Sequence, residues 1–267
     1  LAGWAAAEGW NPGLADTHIA REIDPDAFIA VRRGDELVAG GTIFSHSGRF
    51  GFMGLFIVRS DHRGTGLGRR LWTYRRDRLI DRLAPGSSIG MDGVLEMVPF
   101  YARGGFRLVY RDLRFEGVAS GERRADVVGV ESFGFDAVDE LDRRFFPVPR
   151  SDFLRRWVLQ AGVHTAGIVE GGRLLGFGMI RPCRVGYKFG PVLARRPDVG
   201  ARIVEHLMGC VPGEQVQLDV PEPNEAGLEL AAALGLRESF ACARMYLGPA
   251  PELDVGGIFG VTSFEFG

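Results

Sequence analysis

The sequence has almost no lysine. Among its 32 basic residues Lys188 is the only one, and the rest are arginine. A lysine-rich nucleic-acid or membrane-surface patch is therefore excluded. The formal net charge of −2 leaves no global excess of positive charge for a polyanion. Cysteine is equally scarce. Cys183, Cys210 and Cys242 are odd in number and widely spaced, which fits neither a disulfide framework nor a zinc pattern and suits a reducing cytoplasm. The five histidines include no i, i+4 pair on a helix, so no metal is expected. No apolar run reaches the roughly 18–20 residues that a membrane span needs, so no membrane partner is expected either. The chain opens on Leu1 rather than Met, which leaves room for a preceding segment, a targeting one included.

What is present is ordinary for a globular protein: 46% hydrophobic and 25% charged residues over 267 positions, enough for two compact domains. The chain also reads as if written twice. "FIAVRRGDELVAGGTIF" (28–44) is strand, glycine turn, strand, and "AGIVEGGRLLGFGMI" (166–180) has the same grammar. Gly34 aligns with Gly171, Leu37 with Leu174, and Gly41 with Gly178. Further along, Gly54 aligns with Gly190 and Tyr101 with Ala231, in the same order and at nearly constant separation. The pattern implies two tandem domains, 1–122 and 123–267, with polar "VASGERRAD" as the linker.

In the first copy, helices are expected over 1–8 and 16–23, strands over 28–32, 37–45 and 50–58, and a helix over 66–83 with Leu67, Leu71, Leu79 and Leu83 as its apolar stripe. A strand over 89–92, a short helix over 98–103 and a strand over 107–115 follow. Mixed α/β order of this kind predicts a sheet with helices packed on it. In the second copy the closing "GIFGVTSFEFG" is rich in β-formers. It reads as a strand over 257–266 that adds to an edge of the first copy's sheet.

The most informative stretch is "RSDHRGTGLGRRLW" (59–72), directly after the apolar "GFMGLFIV". No lysine follows its glycines, so it is not a Walker loop. Arg69 stands where a dinucleotide fingerprint needs its third glycine. The spacing that holds is Arg63-x-x-Gly66-x-Gly68. Glycines let backbone N–H groups approach a ligand closely, and the helix that begins there offers unpaired N–H groups and the positive end of its dipole. Arg63 adds a cation, and Arg69 and Arg70 lie one turn on. The set suits a pyrophosphate. The remaining arginines of this helix (75, 76, 78, 82) read mostly as a solvated face, and Trp4, Trp10, Phe52 and Met53 mostly as core.

"RGTGLGRRL" after an extended strand resembles the acyl-CoA pyrophosphate loop of the GNAT superfamily of N-acetyltransferases, and "FYARGGF" (100–106) is similar to its later Tyr-x-x-x-Gly-Phe element. The second copy, with "ARMYLG" and its closing segment, resembles the C-terminal half of bacterial two-domain members. The resemblance implies two GNAT-like domains, each a mixed, mostly antiparallel sheet with a splayed parallel strand pair flanked by helices. Strands 50–58 and 89–92 would be that pair in the first copy. It implies acetyl-CoA as co-substrate, bound by Phe56, Ile57, Val58, Arg63, Gly64, Thr65, Gly66, Leu67, Gly68 and Arg69, and direct transfer to a small-molecule amine with Tyr101 as the acid that protonates the leaving thiolate. The base stays open among Glu96, Asp92, His46, His18 and Glu22. Many family members carry Asn where this chain has Val94. The second copy has Asn224 at that point but Ala231 for the tyrosine, and Val199, Arg202 and Val204 for Arg63, Gly66 and Gly68. One cofactor per chain is expected, in the first copy. A non-catalytic CoA-binding sensor or interaction protein is the alternative, and the acceptor and oligomeric state are left open.

Overall fold

The computed structural model describes all 267 residues, and contacts group them into two compact units. The first unit comprises Leu1–Val109, Ala243–Pro251 and Phe264–Gly267, and the second comprises Tyr110–Cys242 and Glu252–Ser263. Each unit thus draws on the end of the chain as well as on its own half.

The first unit holds α1 (Ala2–Ala7), α2 (Asp16–Ile23), β1 (Phe28–Arg33), β2 (Glu36–His46), β3 (Phe50–Val58), α3 (Leu67–Asp81), β4 (Ser88–Val94) and α4 (Val98–Arg103). β1, β2 and β3 pair antiparallel, and β3 pairs parallel with β4. β1 carries Arg32 and Arg33 at the exposed edge, whereas β2 and β3 are buried on both faces and read as nearly unbroken apolar and small residues. α3 lies on this sheet through Leu71, Trp72, Arg75 and Leu79. The expected stripe is therefore shifted: Leu67 and Leu83 are only half-buried, and an arginine occupies its centre. The end of α3 is tied down by Arg82, which donates twice to the Asp24 carboxylate (2.5 and 2.7 Å) and once to the Ile43 carbonyl (2.8 Å).

The second unit holds most of β5 (Arg107–Val118), then α5 (Phe135–Asp142), α6 (Ser151–Val158), β6 (His164–Glu170), β7 (Arg173–Pro182), β8 (Tyr187–Ala194), α7 (Pro197–Met208), β9 (Gln215–Pro221) and α8 (Glu225–Ala233). β6, β7 and β8 pair antiparallel, β8 pairs parallel with β9, and β9 pairs antiparallel with β5. The strand β10 (Arg237–Leu247) contributes its first residues to this unit and Ala243–Leu247 to the first, where they lie beside β4.

The expected strand over 257–266 is corrected. Only Ile258–Gly260 is a strand, β11, and it pairs with β8 of the second unit rather than with an edge of the first. Phe264–Gly267 does belong to the first unit, but as irregular chain held by a 2.9 Å hydrogen bond between His46 Nε2 and the Phe266 carbonyl.

Candidate active site

β3 and β4 run in register from Phe50–Ser88 to Met53–Met91 and then part. Just past that point β3 bulges. Thr42 of β2 faces Gly54 and Gly40 faces Ile57, so Gly41 alone stands opposite Leu55 and Phe56. Leu55 takes φ +49°, a left-handed conformation that costs a non-glycine residue roughly 1–2 kcal/mol. The result is a strained strand segment whose backbone groups leave the ladder where the two strands open.

Beyond Val58 the chain turns into the glycine loop. Arg63 does not extend freely from it. Its Nε donates to the Val58 carbonyl (2.8 Å) and its Nη2 to the Glu8 carboxylate (2.5 Å), tying the loop to the end of β3 and to the end of α1. Thr65 Oγ1 donates to the His62 carbonyl at 2.8 Å. Gly64 and Gly66 have φ of +77° and +80°, and apart from their chain neighbours nothing lies within 4 Å of where a Cβ would be. Their glycine character is set by backbone conformation, and the space around them is open. Gly66 is the N-cap of α3 with no side-chain cap, so the first N–H groups of Leu67, Gly68 and Arg69 have no intrahelical partner. An anion of pyrophosphate shape fits this donor set, and the exposed Arg69 and Arg70 add positive charge beside it.

Tyr101, on α4, is buried against Trp72 of α3, with ring centroids 6.2 Å apart, and its ring lies over Gly93 of β4, where a Cβ would stand 2.5 Å from it. The bulge, the loop and Tyr101 are all carried by the elements around the β3–β4 opening. Phe56 and Val58 are half-buried there and Ile57 is buried.

The five candidate bases do not converge. His18 and Glu22 pair with each other (3.2 Å) on the exposed side of α2. The Asp92 carboxylate is shielded from solvent in a two-point ion pair with Arg244 (2.5 and 2.8 Å). His46 is bonded to the closing segment, and Glu96 is exposed. Arg75, read from sequence as solvated, is fully buried on the sheet side of α3. A helix of many arginines gives no signal for that. The signal lies on another strand, in Gly41, whose missing Cβ makes the space that the guanidinium fills.

The second unit repeats the frame with different residues at the corresponding positions. β8 and β9 pair only at Tyr187–Val216 and Lys188–Gln217 before parting. The chain itself enters that opening: β11 pairs with Leu193 and Val192 of β8, the Val261 N–H donates to the Asp219 carbonyl of β9 (2.9 Å), and Asn224 Nδ2 donates to the Ile258 carbonyl (2.8 Å). Asn224 Oδ1 meanwhile accepts from the Gly227 N–H as the N-cap of α8. Val199, Val204 and Ala231 are core residues, and Arg202 pairs with Asp126.

Residues 5–120 and 138–260 each match an acetyltransferase (GNAT) domain model. The chain is 30% identical to the holothin acyltransferase of Pseudoalteromonas sp., over 99% of this chain and 89% of that one. The chain belongs to the GNAT acetyltransferase family. It is an acyltransferase of tandem GNAT architecture, an α/β fold whose mixed sheet of parallel and antiparallel strands is flanked by helices. An uncharacterised N-acetyltransferase of Bacillus subtilis, YitH, is 25% identical over 82% of this chain and 78% of its own. Among solved structures, a protein assigned as an acetyltransferase from Pyrococcus horikoshii superposes with a TM-score of 0.81 at 24% identity, over 95% of this chain and 84% of that one. A tandem GNAT protein from the clavulanic acid biosynthesis pathway superposes with a TM-score of 0.61 at 16% identity, over 90% and 89%. GNAT proteins take their acyl group from an acyl-CoA. No helix is long and apolar enough to cross a membrane, and no group of three or more His, Cys, Asp or Glu side chains comes together as a metal site would need.

Proposed function

We propose that this acyltransferase moves an acetyl group from acetyl-CoA to a primary amine of a small molecule by direct attack, within residues 1–122, and that residues 123–267 have a structural or substrate-shaping role. The observation that carries the reading is the β3 bulge at Leu55–Phe56, set where β3 and β4 part, with the open glycine loop at one end and Tyr101 beside it.

The loop residues Arg63 to Arg69 would hold the pyrophosphate through backbone N–H groups. The edge of β3 at Phe56, Ile57 and Val58 would bond the pantetheine arm. Backbone N–H groups at the bulge are fixed before reaction, so they stabilise the oxyanion that forms as the amine nitrogen bonds to the thioester carbon. When the C–S bond breaks, sulfur leaves with the bonding pair. Tyr101 gives it a proton and recovers one from solvent. The amine's proton passes to water or to a group of the acceptor site. No protein nucleophile takes part, which agrees with burial of Cys183 and Cys242.

The test is thiol release from acetyl-CoA with holothin, the compound in its relative's name, and with a panel of small primary amines, amino acids and aminoglycosides. Longer acyl-CoA donors are run in parallel. Amine-dependent release with an N-acetyl product is the expected result. Acetyl-CoA binding with no turnover for any acceptor would favour the non-catalytic sensor.

A further inference from the structure

Arg75 is buried beneath the sheet with no carboxylate partner. Its Nη2 donates to two carbonyls, Thr42 (2.5 Å) and Gly54 (2.6 Å), which face each other across β2 and β3 immediately before the bulge. Its Nε and Nη1 are buried without a hydrogen-bond partner, as is the indole N–H of Trp72 one turn earlier. Its guanidinium lies 5.3 Å from the Phe56 ring centroid. Leaving a cation without a carboxylate and three donor nitrogens without an acceptor is costly in a buried site, so an arginine here is poor material for a core. The fold nevertheless makes room for it at Gly41, and for the neighbouring Trp72 and Tyr101 at Gly104 and Gly93.

We propose that Arg75 is a positioning residue for acyl transfer: its Nη2 holds the two carbonyls that lie beside the β3 bulge, and its buried charge favours the negative charge that builds on oxyanion and thiolate at that bulge. The inference rests on the first half binding acyl-CoA as described above. Among the other charged groups near this site, Glu265 of the closing segment is buried with its backbone against Gly54. Asp92 of β4 is neutralised by Arg244, and Arg76 of α3 pairs with Asp77 while covering the Trp72 ring. Glu96 and Arg103, flanking α4, are exposed. Burial pulls the Arg75 pKa down to about 9 and a Tyr101 phenolate pulls it back up, so the two groups feel each other's charge and Arg75 is still cationic at neutral pH.

The test needs no acceptor. The thiol of CoA bound to the protein is titrated by its thiolate absorbance, with the desulfo-CoA complex subtracted to remove the three cysteines. In the wild type the bound thiol should titrate about one unit below free CoA. Arg75→Met should bind CoA within a few-fold but return the thiol to its free value. Arg75→Lys, which keeps the charge on a single terminal nitrogen, should retain most of the shift. With a reactive amine, kcat should fall about tenfold or more in Arg75→Met with little change in KM. A bound thiol unshifted in the wild type would overturn the proposal even if Arg75→Met failed to fold, as would an equal shift in Arg75→Met. Failure of the wild type to bind CoA at all would overturn the functional reading with it.

Discussion

Gly68 separates what the fold needs from what the ligand would need. It is the second residue of α3, after the N-cap Gly66, and its φ is not in the left-handed region. A Cβ built there meets only Val58 Cγ2 at 3.5 Å and Phe56 Cζ at 3.7 Å, which are ordinary contacts. The protein alone has no reason to keep glycine at this position. Gly68→Ala removes conformational freedom from the unfolded chain and adds helix propensity, worth about 0.5 kcal/mol at a helix end. For a protein of this size that corresponds to a rise in Tm of about 1–2 °C. If a pyrophosphate rests on the first turn of α3, the same methyl stands where its oxygens must approach. Acetyl-CoA affinity should then fall about tenfold, or ~1.4 kcal/mol. Calorimetric titration and thermal melting of the one variant therefore give effects of opposite sign. A variant that is more stable and binds acetyl-CoA as the wild type does would refute the phosphate-loop reading. A less stable one would refute the account of the glycine.

Tyr101→Phe keeps the ring that packs on Trp72 and Gly93 and removes only the hydroxyl, so turnover should fall about 10²-fold while CoA affinity stays within a few-fold. Full activity would make Tyr101 a packing residue. In the second unit, Asp219 and Arg114 form a buried two-point pair at 2.7 and 2.8 Å. Burial alone would raise the Asp219 pKa, but Arg114, then Lys188 and Arg181, hold it below the ordinary carboxylate value. Its stabilisation is thus present above the unfolded value near 3.8 and is lost as pH falls through the lower folded value. Asp219→Asn should cost about 3–5 kcal/mol at pH 7 by removing the carboxylate that the buried Arg114 faces, with a shallower fall in Tm on acidification; a Tm within 2 °C of wild type at pH 7 would contradict it.

The local grammar of the first half was legible because period and punctuation agree there. β3, the glycine turn, α3 and the Tyr101 helix fall within a residue or two of their expected spans. The parallel pair's opening was implied by the family resemblance alone, since nothing in "GFMGLFIV" announces a bulge at Leu55. Arg75 was illegible for a different reason. Its neighbours on α3 include Arg69, Arg70, Arg76 and Arg78, and only the three-dimensional match to Gly41 on β2 marks it as buried. Asn224 carried a true signal that had two meanings. The family places an asparagine at that point of its active site, whereas here the side chain caps α8 and holds the closing segment. Long-range pairing is the common factor in what was missed. β11 looks like any β-rich tail until its partner on β8, far back in the sequence, is known.

That pairing decides how many CoA molecules the chain should bind. A second site would need the β8–β9 opening, and Ile258–Val261 already lies in it, bonded to both strands. Clearing it would expose Ile258 and Phe259, which are 7% and 1% accessible, and Phe259 packs on Gly200 at the start of α7. Returning two such side chains to water costs about 3–6 kcal/mol, which alone weakens any ligand there by roughly 10²–10⁴-fold. The loop offers no compensation. Val199 and Val204 are core residues in the places of Arg63 and Gly68, Arg202 replaces Gly66 and pairs with Asp126, and Arg196 is held by Glu170 and Asp198. Asp198 in the first turn of α7 also sets a negative charge where an anion would bind. Titration of the chain with acetyl-CoA at moderate salt should therefore saturate at one equivalent, and Gly66→Val, strained at φ +80°, should abolish or sharply weaken that equivalent. A second equivalent of similar affinity that survives Gly66→Val would show that the closing segment leaves its groove under ligand, and that the half keeping the cofactor had been misassigned.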